Sequence, residues 1–252
     1  MNANQWQWRE GVLTCELLSD WSHGFFTRSH APKLPADLHH HLAGSGKAYR
    51  AKQVHGNRLI HANEIETIPD AVLPEADGVW LTRDRHSTNC HRSVWVCTAD
   101  CVPVLIGDRK LGSVAAVHAG WRGTASGIVM KAIAILCEQG SELKNLRVAL
   151  GPAISGQVYQ VSQEVAQQVT GTINQLVGVH PDEHPERVKI DLRQVQVQQL
   201  NELGIPSENV AIAPYCTLQH EEIFFSYRRY SLNNPNSQPR APQVQWSGIV
   251  IG

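Results

Sequence analysis

The chain has 252 residues, of which 42% are hydrophobic and 18% charged, and its formal net charge is −1. A charge this close to zero, with no run of Lys and Arg, argues against nucleic acid and anionic membrane surfaces as partners. The length suffices for a large hydrophobic core, and we expect residues 1–252 to form a single domain.

The N-terminal residues contain no apolar stretch typical of a signal peptide, and no run approaches the length of a membrane span. We therefore expect a cytoplasmic protein. In that compartment the six scattered cysteines predict reduced thiols rather than a disulfide framework. No heptad pattern and no exposed apolar helix stand out, which favours a monomer.

The first half of the chain is rich in predicted strands. Short apolar runs predict strands at 12–18, 23–28, 51–57 and 76–82. Residues 29–49 contain prolines, glycines and the triple His39-His40-His41, and they predict a solvated loop. This triple supplies one His-x-His pair, whereas phenol-oxidising copper proteins need several such pairs.

Helices alternate with strands in the second half. Periodic apolar residues predict helices at 128–136, 162–177 and 191–203, and buried runs predict strands at 146–152, 209–216 and the chain end. Runs of strands followed by this alternation predict an α+β fold, in a layered α/β/β/α arrangement. No Gly-x-Gly-x-x-Gly follows a strand, so a dinucleotide-binding fold has no support.

The segment 94–123 concentrates the residues with chemical potential. Two apolar, β-rich runs are separated by Asp100-Cys101, and a third run ends on His118 before a glycine-rich turn. Side chains at the ends of buried strands are held rigidly and still face a cleft. His55 lies at the end of another predicted strand, so it joins Cys101 and His118 as a candidate set.

This set allows two kinds of site. Three dispersed ligands fit a catalytic metal site, because structural zinc sites take four ligands, often in paired spacing. Alternatively, Cys101 is a nucleophile whose thiolate is favoured by His118, for acyl transfer or amide hydrolysis without a metal. Without either function, Cys101 would be a small buried hydrophobe and His118 a core imidazole bonded to backbone.

Charged residues near this set predict further roles. Arg122 follows His118 where the chain turns into a helix, so its guanidinium and the backbone N–H groups there predict an anion site. Arg228 and Arg229 form a second cationic candidate, although an ion pair explains Arg229 equally well. Asp77 and Asp100 lie at strand ends and are acid/base candidates, although Asp also forms turns at such points.

Seven motifs along the chain resemble those of one known family. In order they are GFFTR at 24–28, QVHG at 53–56, ADG at 76–78, TADC at 98–101, AAVHAGWRGT at 115–124, LGPAIS at 150–155 and FFSYRR at 224–229. They resemble the YfiH-like family, also called the laccase-domain or multicopper polyphenol oxidase family and now regarded as purine nucleoside phosphorylases. The resemblance extends from Gly24 to Gly252.

This resemblance implies central mixed β-sheets flanked by helices and a zinc ion held by His55, Cys101 and His118, with copper as the less favoured ion. It implies phosphorolysis of adenosine, inosine, guanosine and methylthioadenosine, together with deamination of adenosine to inosine. Purine nucleosides and phosphate are then the expected partners. For these reactions we expect Asp100 to carry protons and Arg122 and Arg229 to clamp phosphate.

The chain departs from the family pattern in two places. Between GFFTR and QVHG it lacks the GGVS and SLNLG motifs, and after FFSYRR it lacks Thr-Gly-Arg. The polar contacts of those segments do not transfer to this chain. The alternatives to a zinc-dependent phosphorylase are a metal-free cysteine hydrolase using Cys101 and His118, a non-catalytic nucleoside-binding protein, and a copper polyphenol oxidase, which the scarcity of His-x-His pairs disfavours.

Overall fold

The computed structural model describes residues 5–66, 72–83, 91–234 and 243–251. Its strands are β1 (Trp6–Arg9), β2 (Val12–Cys15), β3 (His23–Phe25), β4 (Gly46–Arg50), β5 (Leu59–His61), β6 (Gly78–Leu81), β7 (His91–Thr98), β8 (Val102–Asp108), β9 (Val114–Ala119), β10 (Leu146–Leu150), β11 (Gln160–Ser162), β12 (Val179–Pro181), β13 (Arg187–Ile190), β14 (Val210–Ile212) and β15 (Gln245–Ile251). Its α-helices are α1 (Pro35–Ala43), α2 (Trp121–Ala125), α3 (Ile128–Glu138), α4 (Gln163–Thr170), α5 (Leu192–Leu203) and α6 (Tyr227–Asn233). Within the described ranges, none of the helices combines the length and the hydrophobicity of a membrane span.

The strands form two large sheets and one small one. The first sheet has the order β1-β2-β3-β15-β7-β4, and the second has the order β14-β10-β8-β9-β6-β5. Both are mixed: β4 runs parallel to β7 in the first, whereas β14 and β5 run parallel to β10 and β6 in the second. The strands β11, β13 and β12 form a separate three-stranded antiparallel sheet, in that order.

The two large sheets pack face to face between layers of helix. Their facing sides share one core, to which Leu13 and Val94 contribute from the first sheet and Leu105 and Ala116 from the second. The outer face of the second sheet packs against α3, α4 and α5, and the outer face of the first packs against α1. The predicted order of layers, α/β/β/α, is therefore confirmed.

Several predicted elements lie where the periodicity placed them. The strand after Cys101 is β8, and α3 and α5 fill the predicted helices. Asp191 caps α5 by accepting the backbone N–H of Arg193 at 3.0 Å, and α5 ends at Gly204 in the left-handed conformation, φ +92°. α4 ends at Thr170, earlier than the predicted 177. The five cysteines in the described ranges are free, as expected.

Residues 29–49 do not form the solvated loop that the sequence predicted. α1 and β4 lie there, and α1 begins with Pro35 at its first position. His39 faces the first sheet, buried, with its Nδ1 2.7 Å from the hydroxyl oxygen of Ser93. The helical spacing of the buried face of α1 is not evident in the sequence, because His39 counts there as a polar residue. His40 and His41 are exposed, as expected.

Candidate metal centre

Three separate parts of the fold bring His55, Cys101 and His118 together. Cys101 lies in the turn that carries the chain from β7 in the first sheet to β8 in the second, and His118 lies on β9 beside β8. His55 lies in the loop before β5, where the predicted strand 51–57 is reduced to a single bridge at Lys52. One ligand atom from each of the three lies within 4.8 Å of the others, the one such group in the described part of the chain.

Asp77, which precedes β6, orients both histidines of the group. Its side chain is fully buried, and its Oδ1 lies 2.8 Å from Nδ1 of His118. The same carboxylate accepts the backbone N–H groups of His55 at 2.9 Å and Gly56 at 2.7 Å. These bonds stabilise the left-handed conformation of His55, φ +59°, which is costly for a residue with a side chain. Nδ1 of His118 is thereby engaged, which leaves its Nε2 available to a ligand.

The ionisation of Asp77 follows from these contacts. Burial opposes the charged carboxylate, but the hydrogen bond with His118 and the backbone N–H groups outweigh it and hold the pKa of Asp77 below its ordinary value. Asp77 is therefore an anion that accepts four hydrogen bonds. The sequence predicts an acid/base role for Asp77, whereas the structure places its carboxylate against His118 and the backbone of His55.

Asp100 has a corresponding position behind Cys101. Its φ of +91° makes the turn before Cys101, and its carboxylate accepts the Thr217 hydroxyl and the backbone N–H of Arg228, each at 2.7 Å. The turn is thereby fastened to the beginning of α6. Both carboxylate oxygens are occupied in this way, a geometry that favours a positioning role over the proton transfer expected from the sequence.

Two more residues fix the surroundings of the group. The Gln53 side chain pairs with the backbone of Cys97 on β7, donating to its carbonyl and accepting its N–H at 2.8 Å each. The loop that carries His55 is thus attached to the first sheet. At Gly120, a Cβ atom would lie 2.9 Å from Sγ of Cys101, so this position admits no side chain unless the thiol moves.

Cys101 and His118 each favour the charged form of the other. Burial disfavours the Cys101 thiolate, but the His118 charge and hydrogen bonds from both histidines lower its pKa to about 6. Burial likewise disfavours the His118 imidazolium, but the Cys101 thiolate and Asp77 raise its pKa to about 9. These interactions favour the Cys101 thiolate, the form in which cysteine is a nucleophile and a metal ligand.

The donor set fits a transition-metal ion. A thiolate and two imidazoles are the ligands that zinc takes in proteins, and three protein ligands leave a fourth position open, as in catalytic zinc sites. Asp77 supplies the carboxylate behind a histidine that commonly accompanies such ligands. The ligand atoms of the three side chains converge within 4.8 Å of one another, as one bound ion requires.

The three predicted arginines differ in what they contact. Arg122 is exposed on α2, a helix of only five residues, with its guanidinium carbon 4.3 Å from the centre of the Trp121 ring. The Arg229 guanidinium donates to three backbone carbonyls, those of Thr217, Leu218 and Phe224. Its predicted role as a phosphate clamp thus has a competing structural explanation.

Arg228 and Tyr159 adjoin the group. The sequence indicates Arg228 only as part of a second cationic candidate, and it does not single out Tyr159. The Arg228 guanidinium carbon lies 5.3 Å from the centre of the Tyr159 ring, and its Nη2 donates to the carbonyl of Gln160 at 2.9 Å. Tyr159, Gln53 and Gly120 had no periodicity or spacing to single them out. The nearest signals were that Gln53 and Gly120 stand beside the candidate histidines, inside the QVHG and VHAGWRG motifs.

These observations define a class of protein. It has a mixed α/β/β/α domain and, in the described part of the chain, one His-Cys-His group beside its two large sheets. The sequence pattern described as multi-copper polyphenol oxidoreductase laccase matches residues 36–234. The chain belongs to this family, as its motifs predicted.

Relatives with assigned activities are similar over the whole chain or over part of it. A purine nucleoside phosphorylase of Synechocystis sp. is 44% identical over 275 residues, covering 99% of this chain and 98% of the relative. An adenosine deaminase from an unknown prokaryotic organism is 33% identical over 144 residues, covering 56% of this chain and 54% of the relative. The crystal structure of YlmD from Geobacillus stearothermophilus superposes with a TM-score of 0.80 at 22% identity, covering 98% of each chain, and it shows the same fold.

Proposed function

We propose that this protein is a zinc-dependent purine nucleoside phosphorylase that acts on adenosine, inosine, guanosine and methylthioadenosine and also deaminates adenosine. The observation that carries the proposal is the His55-Cys101-His118 group, with its ligand atoms within 4.8 Å of one another and Asp77 behind both histidines. The phosphorylase of Synechocystis sp., similar over nearly its whole length, supports the substrate class. The adenosine deaminase relative supports the second activity.

Zinc is the ion that we assign to the three ligands. When bound there, it would supply Lewis acidity at its open position. Copper is the alternative ion for two imidazoles and a thiolate. A polyphenol oxidase with several coppers would need further groups of ligands, and the described part of the chain holds one such group.

The chain's own residues have separate tasks in phosphorolysis. A phosphate oxygen forms a bond to the anomeric carbon while the bond from that carbon to the purine nitrogen breaks, and the purine leaves with the electron pair and takes up a proton. Positive side chains must therefore hold the phosphate, and Arg122 is one of them. Asp77 and Asp100 keep the two sides of the group in register by fixing the turns that carry His55 and Cys101.

A metal-free cysteine hydrolase is the second candidate. Cys101, His118 and Asp77 have the order of a nucleophile, its base and a carboxylate that orients the base. The low pKa of Cys101 and the Asp77–His118 hydrogen bond favour this candidate specifically. It differs from the first in needing no metal and no phosphate.

One experiment separates the two candidates. Zinc content is measured by mass spectrometry for the wild type and for Cys101→Ala and His118→Ala, together with release of hypoxanthine from inosine with and without phosphate. We expect about one zinc per chain in the wild type, loss of zinc in both variants, and phosphate-dependent release in the wild type alone.

Other outcomes would count against the phosphorylase. Metal-free wild-type protein that hydrolyses amides, and loses this activity in Cys101→Ala, would establish the hydrolase. Nucleoside binding without any turnover in the zinc-loaded protein would indicate a non-catalytic nucleoside-binding protein.

A further inference from the structure

The neighbouring arginines Arg228 and Arg229 have opposite environments. Arg229 donates to three backbone carbonyls and also lies 4.0 Å from the carboxylate of Glu221. Its charge is therefore used to hold the loop before α6. Arg228 is half-buried and makes one side-chain hydrogen bond in the described part of the chain, to the carbonyl of Gln160. No carboxylate within the described ranges pairs with its guanidinium at 4.0 Å or less.

Arg228 is held from two sides next to the turn that carries Cys101. Its backbone N–H donates to the carboxylate of Asp100, the residue before Cys101. Its guanidinium lies over the ring of Tyr159, which is itself half-buried. The side chain is thus fixed in place while much of its hydrogen-bonding capacity remains unused, since a guanidinium carries five N–H donors.

Arg122 lies on a helix that packs in the same region of the fold as Tyr159. α2, which carries Arg122, packs on α4, and α4 follows directly on β11, which begins one residue after Tyr159. The Tyr159 hydroxyl lies within electrostatic reach of Arg228 and Arg122, and also of Cys101 and Asp100. Among the described residues, Arg122 also lacks a carboxylate partner.

Two guanidinium groups without a carboxylate ion pair in the described ranges can together attract an anion such as phosphate. A metal ion at the neighbouring ligands would add to their charge. Burial and the Cys101 thiolate raise the pKa of Tyr159 to about 12, so its hydroxyl remains a hydrogen-bond donor at neutral pH. A planar guanidinium matches the oxygens of phosphate, and a dianion would compensate both cations.

We propose that Arg122, Arg228 and the Tyr159 hydroxyl form a subsite for inorganic phosphate beside Cys101, and that Arg229 is a structural residue. The subsite deepens the proposed phosphorolysis and rests on it, because phosphate is the co-substrate that attacks the nucleoside. Arg228 takes the place that the sequence analysis gave to Arg229.

Binding of inorganic phosphate to the purified full-length protein tests the subsite directly, by titration calorimetry. Arg228→Met and Arg122→Met each remove one charge and keep much of the apolar stem, and we expect each to weaken phosphate binding roughly 10-fold or more. Arg228→Lys retains the charge, so we expect a smaller loss. Arg187→Met is the matched control, because exposed Arg187 donates to the side chain of the same Gln160 whose carbonyl binds Arg228.

The outcomes separate the subsite from the reaction. Loss of binding in both Met variants, with wild-type affinity in Arg187→Met, supports the subsite. No phosphate binding to the wild type, or equal losses in Arg187→Met, would overturn it. Phosphate binding that depends on Arg228 in a protein without phosphorolysis would refute the proposed reaction and leave the subsite standing.

In a protein that turns over inosine, the KM for phosphate gives a second readout. We expect it to rise in Arg228→Met by a similar factor, and the KM for inosine to rise far less. Equal rises in both KM values would show that Arg228 acts on the structure of the whole site and not on phosphate.

Discussion

At the scale of single residues, two buried aspartates organise the candidate metal centre. Asp77 fixes the left-handed turn at His55 and the ring of His118, and Asp100 fixes the left-handed turn before Cys101. Backbone in such conformations costs about 1–3 kcal/mol and persists where the surroundings over-determine it. The strain at the two turns that carry His55 and Cys101 is therefore maintained by two buried carboxylates outside the His-Cys-His group.

Asp77→Asn tests this role. An amide has a single acceptor oxygen, so it cannot accept four hydrogen bonds, and its NH2 group faces backbone N–H donors. We expect zinc affinity to fall about 10- to 100-fold, as for other residues behind metal ligands. The measurement is competition for zinc with a chromophoric chelator.

Asp108→Asn is the control for this substitution. Asp108 is equally buried at the far end of β8, where its carboxylate accepts the backbone N–H groups of Lys110 and Leu111. We expect it to lower stability and leave zinc affinity unchanged. Unchanged affinity in Asp77→Asn would show that the histidines hold their positions without it.

At the scale of elements, the sequence predicted those whose apolar period is regular. The period of α5 and its Asp191 cap, and the continuous apolar run of β8, depend on neighbours within a few residues. α1 was missed because one of its buried positions is His39, whose partner Ser93 lies 54 residues away on β7. A polar residue buried through a distant partner leaves no local signal.

The β2–β3 hairpin contains a second buried histidine with a consequence for pH. Nε2 of His23 accepts the backbone N–H of Cys15 at 2.9 Å, and its Nδ1 lies 2.9 Å from the carbonyl of Trp21. Burial lowers the pKa of His23 despite the bond to Trp21. Below pH of about 6.5 the unfolded chain therefore binds a proton that the folded protein does not, and stability falls as the pH drops.

His23→Gln removes this titrating group and should make the unfolding free energy less dependent on pH. We expect the slope of unfolding free energy against pH, between pH 6.5 and 5, to decrease by up to about 1.4 kcal/mol per unit. Urea unfolding at a series of pH values measures it. His40→Gln on the exposed side of α1 should keep the wild-type slope, and an unchanged slope in His23→Gln would mean that His23 is protonated in the folded protein.

At the scale of the whole molecule, the candidate centre lies where the two large sheets are joined. Cys101 stands on the crossing from β7 to β8, and the loop with His55 is attached to β7 through Gln53 and to Asp77 before β6. The shared core also joins β2 near the N-terminus with β15 near the C-terminus. This continuity supports our proposal that residues 1–252 act as one domain.

Removal of the metal should then destabilise the whole fold. An ion bound to the folded state alone adds about 2.7 kcal/mol when its free concentration is 100 times the Kd. We expect a chelator to lower the Tm of the zinc-loaded wild type by several degrees and to leave that of Cys101→Ala unchanged. Equal shifts in both proteins would mean that the chelator acts elsewhere.

The sequence by itself determined the order of layers, most strands and helices, the family and the choice of His55, Cys101 and His118. Those features depend on local periodicity and on motifs that stand contiguous in the chain. Only the tertiary structure decided three further features. Asp77 and Asp100 fix the turns that carry His55 and Cys101, Arg229 donates to backbone carbonyls, and Arg228 lies over the ring of Tyr159. These contacts join residues up to 128 positions apart, and a side chain's free donors depend on which backbone groups the folded chain brings to it.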